Sequence, residues 1–279
     1  MGSTTWRMGD RAVDCSERTL VMGVVNVTPD SFSDGGRFVD HDVAVAAAVR
    51  MAEEGADIVD VGGESTRPGA APVPAAEQVE RVAPVIKAVA AEVDVPVSVD
   101  TRSVEVAAAA VNAGAVAVND VSAGADPDMF AVVRETGAGL VLMHMRGDPT
   151  TMQDLARYDD VVGEVRDELR ARLDAALDAG LDLDRLCVDP GIGFAKTWEH
   201  SLVLMRHLDA FLELGRPLVV GPSRKSFIGQ VLGLPVEDRL EGTLAAVAYA
   251  ATRGAHVVRV HDVREAVRVL RVIDAIRGT

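Results

Sequence analysis

Residues 95–120 read VPVSVDTRSVEVAAAAVNAGAVAVND, and this stretch carries the pattern that decides the fold. Val95–Val99 and Ala115–Asn119 are short Val-rich runs with the length and composition of buried strands. The longer Ala-rich segment between them has the length of a helix. The stretch therefore predicts a β-α-β unit, in which a helix joins two parallel strands.

The alternation of short Val-rich runs with longer helical segments continues along the whole chain. The clearest helix is predicted over Asp160–Ala179, where Val161 begins a stripe of apolar residues four apart and Gly180 marks the end. A similar stripe predicts a final helix over about residues 263–277. The remaining strand candidates are Val21–Val27, Asp57–Val61, Gly139–Met143, Leu186–Val188, Pro217–Val220 and His256–Val260.

Eight strands that alternate with helices in 279 residues predict an α/β fold, the (β/α)8 TIM barrel. A doubly wound open sheet is the alternative, but the regular succession of eight strand–helix units favours a sheet that closes into a barrel. No linker or repeat interrupts the sequence, so we expect a single domain over residues 1–279. The polar, turn-like segment within residues 1–20 is expected to cap the closed end of the barrel.

The composition limits the kinds of partner that the chain can have. Hydrophobic residues make up 48% of the sequence, and the net charge of −15 argues against a nucleic-acid partner. An anionic substrate would therefore need a local basic pocket. Cys15 and Cys187 do not make a disulfide framework, and no apolar run has the length of a signal or membrane segment. These features predict a soluble, reduced, cytoplasmic protein with no membrane partner.

Arg259 and His261 stand two residues apart at the end of the last predicted strand, so their side chains share one face. A cation beside an imidazole at a strand end is typical of a receptor for phosphate. The alternative is a solvated strand end with both groups in water.

Two long loops follow the first and second strands, and both are rich in Gly, Pro, Ser and Thr. They comprise residues 28–36 and residues 62–69. This composition is typical of turns and also of mobile lids over a site, whereas an ordinary surface connection is the alternative for each loop alone. Phe32 favours the lid, because an aromatic side chain at a loop tip usually covers something.

Polar side chains also follow several other strands, at the end of the barrel where active sites lie. Three acceptor side chains and one cation, in particular, could bind the edge of a polar heterocycle: Asp100, Asn119, Asp189 and Lys225. The three acceptors could equally bind a metal, and oxygen ligands suit Mg²⁺ better than Zn²⁺. Lys225 could instead form a Schiff base, so an aldolase stays open. Ser223 has the features of a helix N-cap.

Five stretches of the sequence, in this order, closely resemble the dihydropteroate synthase family. The matching stretches are Asn26–Gly36, Gly62–Gly69, Asp189–Phe194, Ser223–Ser226 and Arg259–Val263. The resemblance implies the (β/α)8 fold and a transferase reaction. In that reaction 6-hydroxymethyl-7,8-dihydropterin pyrophosphate and para-aminobenzoate give 7,8-dihydropteroate and pyrophosphate for folate synthesis, and sulfonamides mimic the aminobenzoate. It also implies Mg²⁺ and a homodimer.

The resemblance further implies a role for each matching residue. The pterin would be held by Asp100, Asn119, Asp189 and Lys225. The pyrophosphate would be held by Asn26, Thr66, Arg67, Arg259 and His261, with Mg²⁺ on the amide oxygen of Asn26. The aminobenzoate would contact Phe32, Thr66, Pro68, Phe194 and Ser226. Catalysis would rest on Asp100, Arg67, Lys225 and Asp34.

The family reaction implied by the resemblance is SN1-like. Mg²⁺ and the cationic side chains would stabilise the leaving pyrophosphate, and Asp100 would stabilise positive charge on the pterin methylene. Two other functions stay open as alternatives. One is a pterin-binding paralogue without activity, and the other is a pterin-dependent methyltransferase, which would not be expected to share the two loop motifs.

Overall fold

The central feature of the fold is an eight-stranded parallel sheet. The computed structural model describes residues 4–28, 41–67 and 69–278. Short Val-rich runs form the sheet because they are buried on both faces, against helices outside and side chains inside. Its strands are β3 (Leu20–Asn26), β4 (Ile58–Gly62), β5 (Val97–Asp100), β6 (Ala117–Asp120), β7 (Gly139–Met143), β8 (Leu186–Asp189), β9 (Val219–Val220) and β10 (Val257–Val260).

The sheet closes on itself as a barrel. Its hydrogen-bonded order runs β8-β7-β6-β5-β4-β3-β10-β9, and all these pairs are parallel. A parallel bridge between Val188 and Leu218 joins the two ends, where the amide of Val188 donates to the carbonyl of Pro217 at 3.0 Å. The predicted (β/α)8 barrel is confirmed, and the open sheet is excluded.

Helices surround the barrel within the described ranges. They are α1 (His41–Glu53), α2 (Ala75–Glu92), α3 (Val104–Ala113), α4 (Asp128–Thr136), α5 (Val161–Asp178), α6 (Trp198–Arg206), α7 (Ser226–Leu232), α8 (Leu240–Thr252) and α9 (Val263–Arg277). The helix predicted over Asp160–Ala179 is α5, and the carboxylate of Asp160 caps it by accepting from the amides of Val162 and Gly163. No helix in these ranges has the length and apolar character needed to span a membrane.

An antiparallel hairpin covers the N-terminal end of the barrel. It consists of β1 (Thr5–Met8) and β2 (Arg11–Asp14). Trp6 and Met8 alternate with polar neighbours on β1, and both side chains are fully buried. The indole of Trp6 donates to the carbonyl of Arg185 at 3.0 Å. The predicted cap is confirmed, but the segment is a pair of strands rather than a polar turn.

The barrel interior is divided into an apolar layer and a polar layer. The apolar layer lies at the hairpin end, because the inward-facing residues there are hydrophobic on seven of the eight strands, all except β5. It is formed by Leu20, Met22, Ile58, Ala117, Val141, Cys187, Val219 and Val257 beneath Trp6 and Met8. Gly139 leaves the room that the hairpin needs, since a Cβ there would lie 2.7 Å from Trp6 Nε1. Polar groups are therefore confined to the opposite end, at the C-terminal ends of the strands.

Candidate active site

The inward-facing residues at the C-terminal ends of the strands are charged or polar. Alternation along each strand turns Asp60, Asp100, Asn119, Asp189 and Arg259 into the barrel, while their apolar neighbours pack against the helices. The three carboxylates and Asn119 are buried. The barrel thus brings together side chains from five different strands.

Arg259 is held by two of these carboxylates. Its Nε donates to Asp60 Oδ2 at 2.7 Å, and its Nη2 donates to Asp100 Oδ2 at 2.6 Å. Asp60 Oδ2 also accepts from Asn119 Nδ2 at 3.1 Å. The guanidinium predicted from the sequence as half of an anion clamp is thus anchored inside the barrel, with two of its nitrogens already bonded to carboxylates.

Asp100 has one oxygen that lacks a partner among the described residues. Its Oδ2 accepts from Arg259, but its Oδ1 is buried without a hydrogen bond. Burial raises the pKa of Asp100 to about 7, and the nearby charge of Arg259 opposes that rise. An unpaired buried acceptor is costly, so this oxygen is suited to bind a donor from a ligand.

Lys225 and Asp189 lie on another side of the same interior. Lys225 Nζ is 3.9 Å from the centroid of the Phe194 ring, and a Cβ at Gly193 would lie 3.3 Å from Lys225 Cδ. Asp189 Oδ1 accepts from the amide of Gly191 at 2.7 Å. Burial raises the pKa of Asp189 to about 6 and lowers the pKa of Lys225 to about 8. Lys225 thus offers a donor, and Asp189 an acceptor, to the same part of the barrel interior.

His261 is fixed by Ser223 and not by Arg259. The Ser223 hydroxyl lies 2.9 Å from His261 Nδ1 and accepts from the His261 backbone amide at 3.3 Å. Burial and the neighbouring Arg259 lower the pKa of His261 to about 4, so the ring is neutral at pH 7. Ser223 is not the predicted N-cap, because α7 begins at Ser226 with Lys225 as its N-cap.

The loop after β4 carries two of the predicted residues. Thr66 is half-buried and Arg67 is exposed. The positive charge of Arg67 contributes to the lowered pKa of Lys225, so the two cations lie within electrostatic reach of each other. Ser226, the first residue of α7, is also exposed. Predictions for three further residues fall outside the described ranges: Phe32, Asp34 and Pro68.

A second polar network, which was not predicted from the sequence, supports the loop after β8. Lys196 is buried, and its ammonium lies 2.9 Å from His144 Nδ1 and donates to the carbonyl of Phe194 at 2.8 Å. His144 Nε2 lies 2.9 Å from Glu168 Oε2. Burial lowers the pKa of Lys196 to about 7. The network fixes the backbone that carries Phe194 against Lys225.

Sequence reasoning also missed Asp60. The available signal was a carboxylate inside the apolar run Ile58–Gly62, where a charged residue needs a buried partner. His144 follows β7 as other polar residues follow their strands, but no local pattern links it to Lys196, which is 52 residues away and meets it through the pairing of β7 with β8.

The comparisons with known proteins agree with this geometry. A family model described as pterin binding enzyme matches residues 22–261 of the chain. The chain belongs to this family. The matched range includes every pterin-site residue predicted from the sequence, namely Asp100, Asn119, Asp189 and Lys225.

Similarity within the pterin-binding family extends over nearly the whole chain. The dihydropteroate synthase of Synechocystis sp. is 46% identical over 271 residues, which cover 96% of this chain and 94% of that relative. The Xanthomonas albilineans dihydropteroate synthase solved with 4-aminobenzoic acid is 46% identical, with a TM-score of 0.93 over 100% of both chains. Its complex with 7,8-dihydropteroate gives a TM-score of 0.89 at 43% identity, over 99% of each chain. The resemblance inferred from the sequence is confirmed, as is the expectation of a transferase of the dihydropteroate synthase kind.

Proposed function

We propose that the chain joins 6-hydroxymethyl-7,8-dihydropterin pyrophosphate to para-aminobenzoate and releases pyrophosphate. The observation that carries this proposal is the buried, unpaired Oδ1 of Asp100, which lies among the inward-facing polar residues of a pterin-binding family member. A pterin has an amino group and a ring N–H on one edge, and both need acceptors. Asp100, Asn119 and Asp189 supply acceptors, and Lys225 supplies a donor for the pterin carbonyl.

The pyrophosphate would lie further from the barrel interior than the pterin, towards the loops at the C-terminal ends of the strands. His261, Arg67 and the remaining edge of Arg259 would face it, and its charge would favour protonation of His261. The described residues contain no cluster of three or more His, Cys, Asp or Glu that could hold a metal. Asn26 at the end of β3 therefore fits Mg²⁺ only as a single ligand, with the substrate phosphates and water supplying the others. When bound, Mg²⁺ would neutralise charge on the leaving group.

The reaction would begin with cleavage of the bond between the pterin methylene carbon and the pyrophosphate oxygen. The bonding electron pair leaves with pyrophosphate, and the methylene carbon becomes cationic. The ionised carboxylate of Asp100 would stabilise that charge. The arylamine nitrogen then bonds to the carbon and loses a proton, which gives 7,8-dihydropteroate. Phe194, held by Lys196, would form one wall for the aromatic ring.

The proposal is tested by measuring pyrophosphate release from the pterin pyrophosphate with Mg²⁺, with and without para-aminobenzoate. We expect release that depends on para-aminobenzoate, with 7,8-dihydropteroate formed in equal amount. Tight pterin binding without release would instead indicate a paralogue without activity. Methyl transfer from methyl-tetrahydrofolate to a corrinoid acceptor would indicate the methyltransferase.

We expect pterin affinity to fall as the pH decreases from 7 to 5, a range in which Lys225, with a pKa of about 8, stays protonated. The pKa of Asp100 is raised to about 7 and that of Asp189 to about 6, so each is ionised above its value and protonated below it. A protonated carboxyl loses an acceptor that the pterin edge needs, and each group should weaken binding by about tenfold per pH unit below its pKa. Calorimetric titration with 6-hydroxymethyl-7,8-dihydropterin measures this. A dissociation constant that is flat from pH 7 to 5 would contradict it.

Arg67→Ala should lower turnover by about 10- to 100-fold and leave pterin affinity unchanged. Arg67 is exposed on the loop after β4, so it can meet the pyrophosphate but not the buried end of the pterin. Steady-state kinetics and calorimetry with the pyrophosphate-free pterin separate the two effects. Arg50→Ala, on the distant helix α1, is the matched control and should change neither. A large loss of pterin affinity in Arg67→Ala would be the opposite result.

We further infer a homodimer and a reducing compartment. Val272 and Ile276 on α9 are 60% and 66% exposed, and pairing between two chains would bury them. Cys15 and Cys187 are free and buried, which suits a cytoplasmic protein. Light scattering at micromolar concentration tests the dimer, and a monomer mass there would contradict it.

A further inference from the structure

Asp60 is a fully buried carboxylate in the middle of β4. Its side chain is 0% exposed, and it accepts hydrogen bonds from Ser98 Oγ at 2.6 Å, Asn119 Nδ2 at 3.1 Å and Arg259 Nε at 2.7 Å. A buried charge is tolerated only when it is paired and hydrogen-bonded, and these donors satisfy it. Side chains from three other strands therefore converge on one fixed group.

The bond from Asn119 to Asp60 sets the direction of the Asn119 amide. Because Nδ2 donates to Asp60, the carbonyl oxygen is the end of the amide that stays available for a ligand. Without Asp60 the amide could turn over and present a donor in place of an acceptor. A ligand that binds Asn119 through an N–H group therefore depends on Asp60.

Asp60 also acts on Asp100, through Arg259. The guanidinium is planar, so a bond at Nε fixes the direction in which Nη2 points. Nη2 donates to Asp100 Oδ2, and this bond leaves Oδ1 as the unpaired oxygen. The orientation of the Asp100 carboxylate thus follows from the Asp60–Arg259 pair.

We infer that Asp60 is a positioning residue for pterin binding, which orients Asn119 directly and Asp100 through Arg259. The inference rests on the proposed function, because a pterin is the ligand whose edge these two side chains would match. Asp60 does not itself bind the pterin, since all three of its donors come from the protein and its side chain is inaccessible.

The test compares Asp60→Ala with Asp60→Asn, using calorimetric titration with 6-hydroxymethyl-7,8-dihydropterin. Asp60→Ala should raise the dissociation constant at least tenfold. Asp60→Asn should restore it to within about threefold, because an amide oxygen can still accept from Asn119 and Arg259. Asp60→Leu serves as a second variant if Asp60→Ala does not fold, since it fills the volume, and the same loss is expected.

Asp120→Asn is the matched control. Asp120 is also a 0% exposed carboxylate with hydrogen bonds from Ser122 and Gly124, but it lies on β6 next to Asn119 and therefore faces out of the barrel. The charge of Asp120 contributes to the raised pKa of Asp100, so the control is measured at pH 8, where Asp100 is ionised. There, Asp120→Asn should lower the melting temperature and leave pterin affinity unchanged. This separates a loss of stability from a loss of positioning.

A double-mutant cycle decides whether Asp60 acts through Asn119. The cost of Asp60→Ala in pterin affinity should be smaller in an Asn119→Ala background, because one of the groups that Asp60 orients is then absent. Equal cost in both backgrounds, or wild-type affinity in a folded Asp60→Ala protein, would overturn the inference. Absence of pterin binding in the unmodified protein would instead overturn the proposed function.

Discussion

Lys225→Ala should weaken pterin binding by about 2–4 kcal/mol, or roughly 30- to 1000-fold in the dissociation constant. In the proposed function, the substitution removes the donor for the pterin carbonyl. It also removes the positive charge that lowers the pKa of Asp100 and of Asp189, so both carboxyls are more protonated at pH 7. Both changes reduce affinity. Calorimetric titration with 6-hydroxymethyl-7,8-dihydropterin at pH 8 and pH 7 measures them, and the loss should be greater at pH 7.

Two controls define the Lys225 result. Lys225→Arg keeps the positive charge, so it should recover part of the loss, although its fork-shaped donor does not match the ammonium. Arg253→Lys changes a cation at the end of α8 that contacts Asp209 and Tyr249, and it should leave pterin affinity unchanged. Unaltered pterin affinity in Lys225→Ala would show that Lys225 does not bind the pterin.

Trp6→Ala should lower the free energy of unfolding by about 3–5 kcal/mol. Trp6 is fully buried over the apolar layer of the barrel, and its indole hydrogen bond to the Arg185 carbonyl would be lost together with its packing. Urea unfolding followed by circular dichroism measures the change. Turnover at low temperature should be kept, because the hairpin is at the opposite end of the barrel from the strand-end residues.

Ala12→Ser is the control for the hairpin. Ala12 lies on β2 and is exposed, so the change should alter the free energy of unfolding by less than about 0.5 kcal/mol. A Trp6→Ala protein as stable as the original chain would mean that the hairpin does not support the barrel. Loss of turnover in a fully folded Trp6→Ala protein would contradict the separation of the two ends.

The sequence was sufficient to predict the barrel and the residues at its strand ends. Strands and helices have different apolar periods, so the alternation around Val97–Asp100 and Ala117–Asp120 was visible without a structure. Asp100, Asn119 and Asp189 could be grouped because parallel strands end on one side of a barrel.

The remaining contacts depend on closure of the barrel, which no local pattern contains. The sequence placed Arg259 beside His261, but its closest partners are Asp60 and Asp100, which come from β4 and β5. The two strands of the hairpin were not predicted. β1, which carries Trp6 and Met8, has only four residues, too few for a clear alternation of apolar and polar side chains. Their burial depends on contacts with β7 and β8, which are distant in the sequence.

The contact between Trp6 and Arg185 has a consequence for folding kinetics. The two residues are 179 positions apart, so the Trp6 indole cannot form this hydrogen bond until about two-thirds of the chain has been synthesised, although β1 can pair with β2 much earlier. Contacts of such long sequence separation form slowly, because the loop between them must first be closed. The hairpin should therefore gain protection from hydrogen exchange late in refolding, after the β-α units between Leu20 and Asp189 have assembled.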